Sequence, residues 1–264
     1  MVAVDRTTCC VVGAGPAGMV LALLLARAGV RVTVLEKHGD FLRDFRGDTV
    51  HPSTLSLLDD IGLAERFARL PQRRVTSVQL PVGTDRSLVT VGDIGALPGP
   101  YHYIAMVPQW DLLDLLADEA AREPTFTLRR NTGATSFLIE GGRVTGVCYR
   151  TADGATGELR ATLTVACDGR GSLARALPEL GLEDFDCPMD AWWFRLPRHE
   201  DDPSGWWAAW GSGSSPPSST AATTGRSPGS SRRAPTPSAA PRASNCSWTG
   251  SPRPSPGWRT GPAP

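Results

Sequence analysis

The sequence has no apolar run of 18 or more residues, the length expected of a membrane-spanning helix. Its apolar N-terminal stretch is also interrupted, because Asp5 and Arg6 stand within it and a glycine-rich turn divides it. A secretory signal peptide needs a continuous apolar core. The sequence therefore predicts neither a membrane span nor Sec export, and it favours a cytoplasmic protein.

Cysteine patterns typical of metal sites are missing as well. The six cysteines form no Cys-x-x-Cys pair, and no histidine stands at metal-ligand spacing from them. Cys9 and Cys10 fall in an apolar strand pattern, where a thiol is usually a small buried side chain. We expect no metal site.

Lysine is nearly absent, since Lys37 stands alone against 26 arginines, a bias typical of a GC-rich gene. An excess of positive charge is absent too. The formal net charge is zero, and residues 1–210 carry 21 basic and 27 acidic groups, a difference of −6. This acidic balance argues against a nucleic-acid partner.

The last part of the chain lacks the residues that build a core. Residues 211–264 contain no Val, Leu, Ile, Met, Phe, Asp, Glu or Lys. Such a segment buries too little apolar area to offset its ordering entropy, so we expect a disordered, low-complexity tail. It is either a natural flexible linker or an out-of-frame translation. The arginine bias favours the second, because a shifted frame of GC-rich DNA yields Pro, Arg, Ser, Ala and Gly.

The N-terminal residues, by contrast, carry strong periodic signals. Thr7–Val12 is typical of a buried strand, Pro16–Arg27 of a helix and Val30–Glu36 of a second strand. Two parallel strands joined by a helix form a right-handed β-α-β unit. The pattern predicts a Rossmann-like α/β fold.

The turn of this unit reads Gly13-Ala14-Gly15-Pro16-Ala17-Gly18, a G-x-G-x-x-G motif between strand and helix. Gly13 allows the tight turn, Gly15 lets the backbone approach a pyrophosphate, and Gly18 permits close packing of the helix on the strand. Glu36 ends the second strand, where its carboxylate can accept hydrogen bonds from a ribose diol. The unit predicts a dinucleotide site and leaves NAD and FAD open.

Further elements follow along the chain. We expect helices over Ser53–Gly62 and Trp110–Arg122, and strands over Val75–Val82 and Ser87–Val91. A β-meander with Gly141-Gly142 and Asp153-Gly154 as its turns should then form from Phe126–Arg129, Thr135–Glu140, Arg143–Arg150 and Glu158–Val165.

Three stretches resemble the class A flavoprotein monooxygenases, the family of para-hydroxybenzoate hydroxylase. They are Val11–Gly18 with Glu36, the loop Arg46–Pro52, and Cys167–Ser172 followed by Arg175. The resemblance implies FAD as cofactor, with Arg46 supporting its diphosphate, Gln109 contacting its ribityl or phosphate region and Asp168 approaching its pyrophosphate. The implied FAD-binding set is Gly13, Ala14, Gly15, Pro16, Ala17, Gly18, Glu36, Lys37, Arg46, Gln109, Asp168 and Gly169.

The resemblance also implies the domain plan. Residues 1–180 would form a GR2-type FAD-binding domain with an inserted β-meander, and residues 73–105 would contribute to a partial substrate-domain β-sheet. Residues 181–210 would begin the substrate domain. The family's third flavin motif, a Gly-Asp followed by Ala and His, is absent after Asp168. We therefore expect a C-terminally truncated or frameshifted member, with residues 211–264 out of frame.

By the same resemblance, an intact member uses NADH or NADPH and O2 to hydroxylate a small aromatic or similarly electron-rich substrate. No side chain is placed by motif as an acid, base or nucleophile, so no catalytic residue is assigned, and the oligomeric state is left open. Three hypotheses follow: an active FAD monooxygenase, an inactive truncated flavoprotein fragment, and an NAD-binding dehydrogenase.

Overall fold

The computed structural model describes residues 3–42, 48–82, 87–177, 180, 181, 183, 185, 206 and 207. Arg46, most of the predicted start of the substrate domain over 181–210, and the whole predicted tail over 211–264 lie outside the described residues. The helices are α1 (Pro16–Arg27), α2 (Pro52–Asp60), α3 (Ala64–Ala68) and α4 (Gln109–Ala120). In the part of the chain that is described, no helix has the length and apolarity to cross a membrane.

The described residues contain twelve strands, which belong to three sheets. They are β1 (Ala3–Val12), β2 (Val32–Leu35), β3 (Thr49–Val50), β4 (Arg73–Val75), β5 (Ser77–Val82), β6 (Ser87–Asp93), β7 (Ile104–Met106), β8 (Phe126–Arg129), β9 (Thr132–Glu140), β10 (Arg143–Thr151), β11 (Thr156–Ala166) and β12 (Trp206–Trp207). The main sheet has the order β8-β2-β1-β11-β10-β9. Its first four strands are parallel, and β9, β10 and β11 are joined as antiparallel neighbours. The predicted α/β fold with an inserted β-meander is confirmed, but the meander consists of β9, β10 and β11. The prediction that Phe126–Arg129 belongs to it is wrong, because β8 pairs in parallel with β2 at the opposite end of the sheet.

The central strands alternate their side chains between two apolar cores, as period-2 geometry requires. Cys9, Val11, Val32 and Val34 belong to the larger core, which also contains the buried residues of α1 and α4. Cys10, Val12 and Leu35 belong to the smaller core, which they share with Val147, Tyr149, Leu159 and Ala161 of the meander. Because both faces are covered, these strands read as continuous apolar runs.

Two smaller sheets hold most of the segment between α3 and α4. One has the order β3-β7-β4, and the other has the order β12-β5-β6. The single strand predicted over Val75–Val82 is therefore wrong, because the chain divides it at Thr76 and places its two parts in different sheets. The carbonyl of Thr76 accepts a hydrogen bond from the amide of Ile94, which fixes this change of direction.

An ion-pair cluster holds α1, α3 and α4 together. Glu119 of α4, whose side chain is only 14% exposed, pairs with Arg27 of α1 at 2.8 Å and with Arg66 of α3. Arg122 pairs with the same carboxylate at 3.0 Å. A hydrogen-bonded, mostly buried carboxylate shared by three guanidinium groups fixes helix positions more firmly than an exposed pair does. The cluster thereby sets how α4 lies against α1.

The buried thiols lead to a first prediction. Cys10 is completely buried, and desolvation raises the pKa of its thiol to about 12. Because the thiolate is the reactive form, we expect Cys10 to resist iodoacetamide at pH 8 in the folded protein and to react after denaturation. Mass spectrometry of tryptic peptides measures this. Rapid labelling of Cys10 under native conditions would contradict the buried central position of β1.

Candidate cofactor-binding site

Three strands end side by side at one edge of the main sheet. Val12, the last residue of β1, pairs with Leu35 of β2 on one side and with Ala166 of β11 on the other. Each strand is followed directly by a motif residue, namely Gly13, Glu36 and Cys167. Ligands of open α/β sheets bind at the carboxyl ends of the parallel strands. The register therefore brings the three separated motifs together.

A cleft of about 720 Å³ opens at this edge. Eight of the predicted site residues line it: Gly13, Ala14, Gly15, Glu36, Lys37, Gln109, Asp168 and Gly169. Pro16, Ala17 and Gly18 begin α1 directly behind the loop. Arg46 belongs to the residues that are not described. The rest of the predicted set is thus assembled in one place, although Asp168 follows Gly13 by more than 150 residues.

At positions 13 and 18, contacts within the protein leave no room for a side chain. Gly13 has φ +98°, and a Cβ built on it would lie 2.5 Å from the carbonyl oxygen of Cys167. A Cβ on Gly18 would lie 2.0 Å from the carbonyl oxygen of Gly13. The role expected for Gly13 in the turn is therefore supported by its φ. Gly18 allows α1 to begin against its own loop, a closer contact than the helix-strand packing expected from the motif.

Gly15 is different, because nothing in the protein requires its small size. It has φ −71° and ψ 178°, which any residue adopts, and no atom lies within 4 Å of a Cβ built on it. It lines the cleft at the N-terminus of α1. A helix N-terminus attracts phosphate through its free amides and its dipole. The space beside Gly15 is a cradle that a side chain would fill.

Glu36 has a structural contact that the motif did not predict. Its side chain is buried, Oε2 accepts a hydrogen bond from the amide of Ala14 at 3.0 Å, and Oε1 accepts one from the amide of His38 at 3.0 Å. The carboxylate therefore ties the glycine loop to the end of β2. Each carboxylate oxygen has two lone pairs, so these bonds are compatible with the predicted contact to a ribose, which stays a prediction.

The turn after β11 completes the cleft. The amide of Cys167 donates to the carbonyl of Val12 at 2.7 Å, which extends the β1–β11 ladder into the motif. Asp168 Oδ2 accepts from the amide of Leu173 at 2.9 Å. Among the described residues, the buried Oδ1 of Asp168 has no hydrogen-bond partner. A buried acceptor without a partner is costly, so this oxygen suits a ligand that brings a hydroxyl or N–H group.

Sequence reasoning missed several lining residues. Gly133 and Ala134 of β9 lie on the cleft wall, and a Cβ on Gly133 would be 3.3 Å from the Cβ of Lys37. Arg170 also lines the cleft. Arg170 could have been predicted as a lining residue, because it lies within the Cys167–Ser172 motif. No local signal marked Gly133 or Ala134, because their position depends on how the meander joins the sheet. Arg170 and Lys37 are cationic residues of a lining that also includes the acidic residues Glu36 and Asp168.

A family model described as "FAD binding domain" matches residues 6–217. The chain belongs to this FAD-binding family. The match includes the glycine loop, Glu36 and the Asp168 turn, and it confirms the resemblance to class A flavoprotein monooxygenases and the expectation of FAD as cofactor.

The chain is also similar to individual proteins that are named as monooxygenases. The chain is 38% identical over 195 residues to 6-methylpretetramide 4-monooxygenase of Streptomyces rimosus, a match covering 72% of this chain and 45% of that protein. The structure of p-nitrophenol 4-monooxygenase PnpA from Pseudomonas putida matches with a TM-score of 0.58 and 25% identity, covering 65% of this chain and 43% of the other.

The OxyS anhydrotetracycline hydroxylase of Streptomyces rimosus matches with a TM-score of 0.55 and 28% identity. That match covers 64% of this chain and 33% of OxyS. The chain thus spans less than half the length of these three relatives.

The cleft of this FAD-binding family member fits the cofactor by three features of its own. The space beside Gly15 at the start of α1 is open, the buried Oδ1 of Asp168 has no donor among the described residues, and the cationic residues Lys37 and Arg170 line the same cleft. Each of the three strand ends contributes to the lining, since Gly15 follows β1, Glu36 follows β2 and Asp168 follows β11. The residues present therefore suit FAD.

Glu36 provides a test of the adenosine end. We expect Glu36→Ala to weaken FAD binding by about 1 to 3 kcal/mol, because the buried amide of Ala14 and the partly buried amide of His38 lose their acceptor together with the predicted ribose contact. Fluorescence titration of FAD measures the change. The control is Glu140→Ala, which removes an exposed carboxylate paired with Arg160 outside the cleft. Equal affinities in the two variants would contradict the assignment of Glu36.

Proposed function

We propose that this chain is the FAD-binding part of a flavin-dependent monooxygenase that uses NADH or NADPH and O2 to hydroxylate a small aromatic molecule. The observation that carries the proposal is the cleft at the three strand ends, where the glycine loop, Glu36, Gln109 and Asp168 meet. In the balanced reaction, one oxygen atom of O2 enters the substrate and the other leaves as water. NADH or NADPH supplies two electrons as a hydride, and solvent supplies one proton.

The protein's own part is to bind and orient the cofactor. Bound flavin supplies the electron transfer and the activation of O2, while the protein sets its position and electrostatic surroundings. The N-terminus of α1 and the open space at Gly15 would hold the pyrophosphate, and Glu36 would accept hydrogen bonds from the adenosine ribose. Asp168, from the neighbouring end of β11, and Gln109, from α4, would hold the middle of the cofactor.

An aromatic substrate is proposed because of the relatives' names. The Pseudomonas putida protein is named for p-nitrophenol, and the Streptomyces rimosus proteins are named as a monooxygenase and a hydroxylase. None of the cleft residues described above is placed to discriminate between aromatic rings. The proposal therefore stops at the substrate class.

The test uses the purified 264-residue chain loaded with FAD. NADH or NADPH oxidation is followed in air with p-nitrophenol and a panel of other phenols as probes, and product is analysed after reaction under ¹⁸O₂. Substrate-stimulated oxidation with one labelled oxygen in the product would support the proposal. A chain that retains FAD but shows no stimulation and no labelled product would reject monooxygenase activity for this 264-residue chain by itself and leave the FAD site standing.

A further inference from the structure

A buried carboxylate outside the cleft contacts one of the cleft residues. Asp48 is only 4% exposed and is not among the residues that line the cleft. Its Oδ1 accepts a hydrogen bond from the backbone amide of Gln109 at 3.2 Å. Gln109 is the first residue of α4 and does line the cleft. The two residues are 61 positions apart in the sequence.

The N-terminus of α4 lacks a cap of its own. The residue at the capping position is Pro108, which makes no side-chain capping hydrogen bond. The first amides of a helix have no partner inside the helix, and a carboxylate that accepts from one of them stabilises the end through the bond and through the helix dipole. Asp48 supplies this acceptor from another part of the chain.

Asp48 is itself held firmly in place. Strand β3 begins directly after it and pairs with β7, with Thr49 opposite Met106. The carbonyl of Asp48 accepts from the amide of Val107 at 2.8 Å, which extends this ladder by one bond. The main chain of Asp48 thus binds the residue that follows β7, and its side chain binds the start of α4. Both ends of the short connection to Gln109 are fixed by one residue.

We propose that Asp48 is a positioning residue that caps α4 from outside the helix and thereby holds Gln109 against the flavin cofactor. The proposal rests on the FAD-binding role of Gln109 given above. Asp48 acts through Gln109, since Asp48 does not itself line the cleft. Its effect on FAD binding must therefore disappear when the side chain of Gln109 is removed.

The test is a double-mutant cycle on FAD affinity, measured by quenching of FAD fluorescence with the full chain. We expect Asp48→Ala to weaken binding by about threefold to thirtyfold, the factor that corresponds to the folding-stability cost of losing a helix cap if that cost falls on the FAD-bound form. In the Gln109→Ala background the same change should alter affinity by less than about twofold, because coupled residues are not additive. Equal effects in both backgrounds would overturn the proposal.

Two further variants separate positioning from folding. Asp48→Asn keeps an oxygen acceptor and should bind FAD within about twofold of wild type. Because Asn lacks only the charge that interacts with the helix dipole, a loss as large as that of Asp48→Ala would show that the hydrogen bond to Gln109 contributes nothing, and would overturn the positioning role. If Asp48→Ala does not fold, Asp48→Ser takes its place, since its shorter side chain reaches Gln109 less well. Unchanged affinity in Asp48→Ser would then overturn the proposal.

Asp93→Ala is the matched control, because Asp93 accepts a hydrogen bond from the amide of Gly95 at 2.8 Å outside the cleft. It should leave FAD affinity unchanged, and a loss equal to that of Asp48→Ala would overturn a specific role for Asp48. Titration of the wild-type chain with FAD distinguishes a failure of the positioning role of Asp48 from a failure of the proposed FAD site. Absence of FAD binding by wild type would reject the cofactor site itself, whereas normal wild-type binding with an unaffected Asp48→Ala would reject only the positioning role.

Discussion

Replacing Gly15 with valine is expected to abolish flavin retention while leaving the fold intact. The backbone of Gly15 has φ −71°, which valine also adopts, and a Cβ on it has no atom within 4 Å apart from its chain neighbours. Its side chain would occupy the space proposed for the pyrophosphate. We expect FAD affinity to fall more than about a hundredfold, equivalent to about 3 kcal/mol. Flavin absorbance after gel filtration and a fluorescence titration measure this loss.

The matched control is Gly92→Val in β6. A Cβ on Gly92 makes only ordinary contact with the side chain of Val78 at 3.6 Å, and Gly92 does not line the cleft. Gly92→Val should retain flavin as wild type does. Thermal unfolding should show that the apo form of Gly15→Val melts within a few degrees of wild type. If both variants bind FAD equally well, the loop at Gly15 does not contact the cofactor.

Gly13→Ala is expected to destabilise the folded chain itself. The new Cβ would lie 2.5 Å from the carbonyl oxygen of Cys167, and the residue would be forced to keep φ +98°. Steric overpacking and a left-handed φ together cost about 2 to 5 kcal/mol. Because the crowded carbonyl belongs to Cys167, the strain also displaces the turn that carries Asp168. We expect the melting temperature to fall by roughly 5 to 15 °C.

Gly171→Ala is the control for this second change. Gly171 lines the same cleft, has no positive φ, and a Cβ on it meets no atom within 4 Å. It should melt close to wild type. Scanning calorimetry of the two apo proteins compares them directly. A Gly13→Ala protein as stable as Gly171→Ala would mean that the contact between the glycine loop and the Cys167 turn is wrong.

The β-α-β unit could be predicted from the sequence because its signals are local. Helix α1 has the predicted bounds of Pro16–Arg27, and the strand predicted over Phe126–Arg129 is also found with the same bounds. The strand predicted over Val30–Glu36 is shorter in the structure, since the amide of Val30 bonds to the carbonyl of Leu25 and belongs to the end of α1. The amide of Val30 therefore caps the C-terminus of α1 and is not available for pairing in β2.

What the sequence could not provide is contact between distant segments. The bond from Gln109 to Asp48 and the arrival of Gly133 beside Lys37 depend on sheet register, which no local pattern determines. The division of the predicted Val75–Val82 strand has the same origin, because Thr76 is fixed by Ile94 from another segment. The family resemblance located the cofactor motifs. Only the strand pairing of Val12 with Leu35 and Ala166 explains why they meet.

The central claim is that the cleft at the three strand ends binds FAD. Equilibrium titration of the wild-type 264-residue chain with FAD, and separately with NAD⁺, tests it most directly. The account predicts saturable quenching of FAD fluorescence at one site per chain and at least tenfold weaker binding of NAD⁺ in competition. A folded chain that leaves FAD fluorescence unquenched, or that binds NAD⁺ more tightly than FAD, would contradict the account.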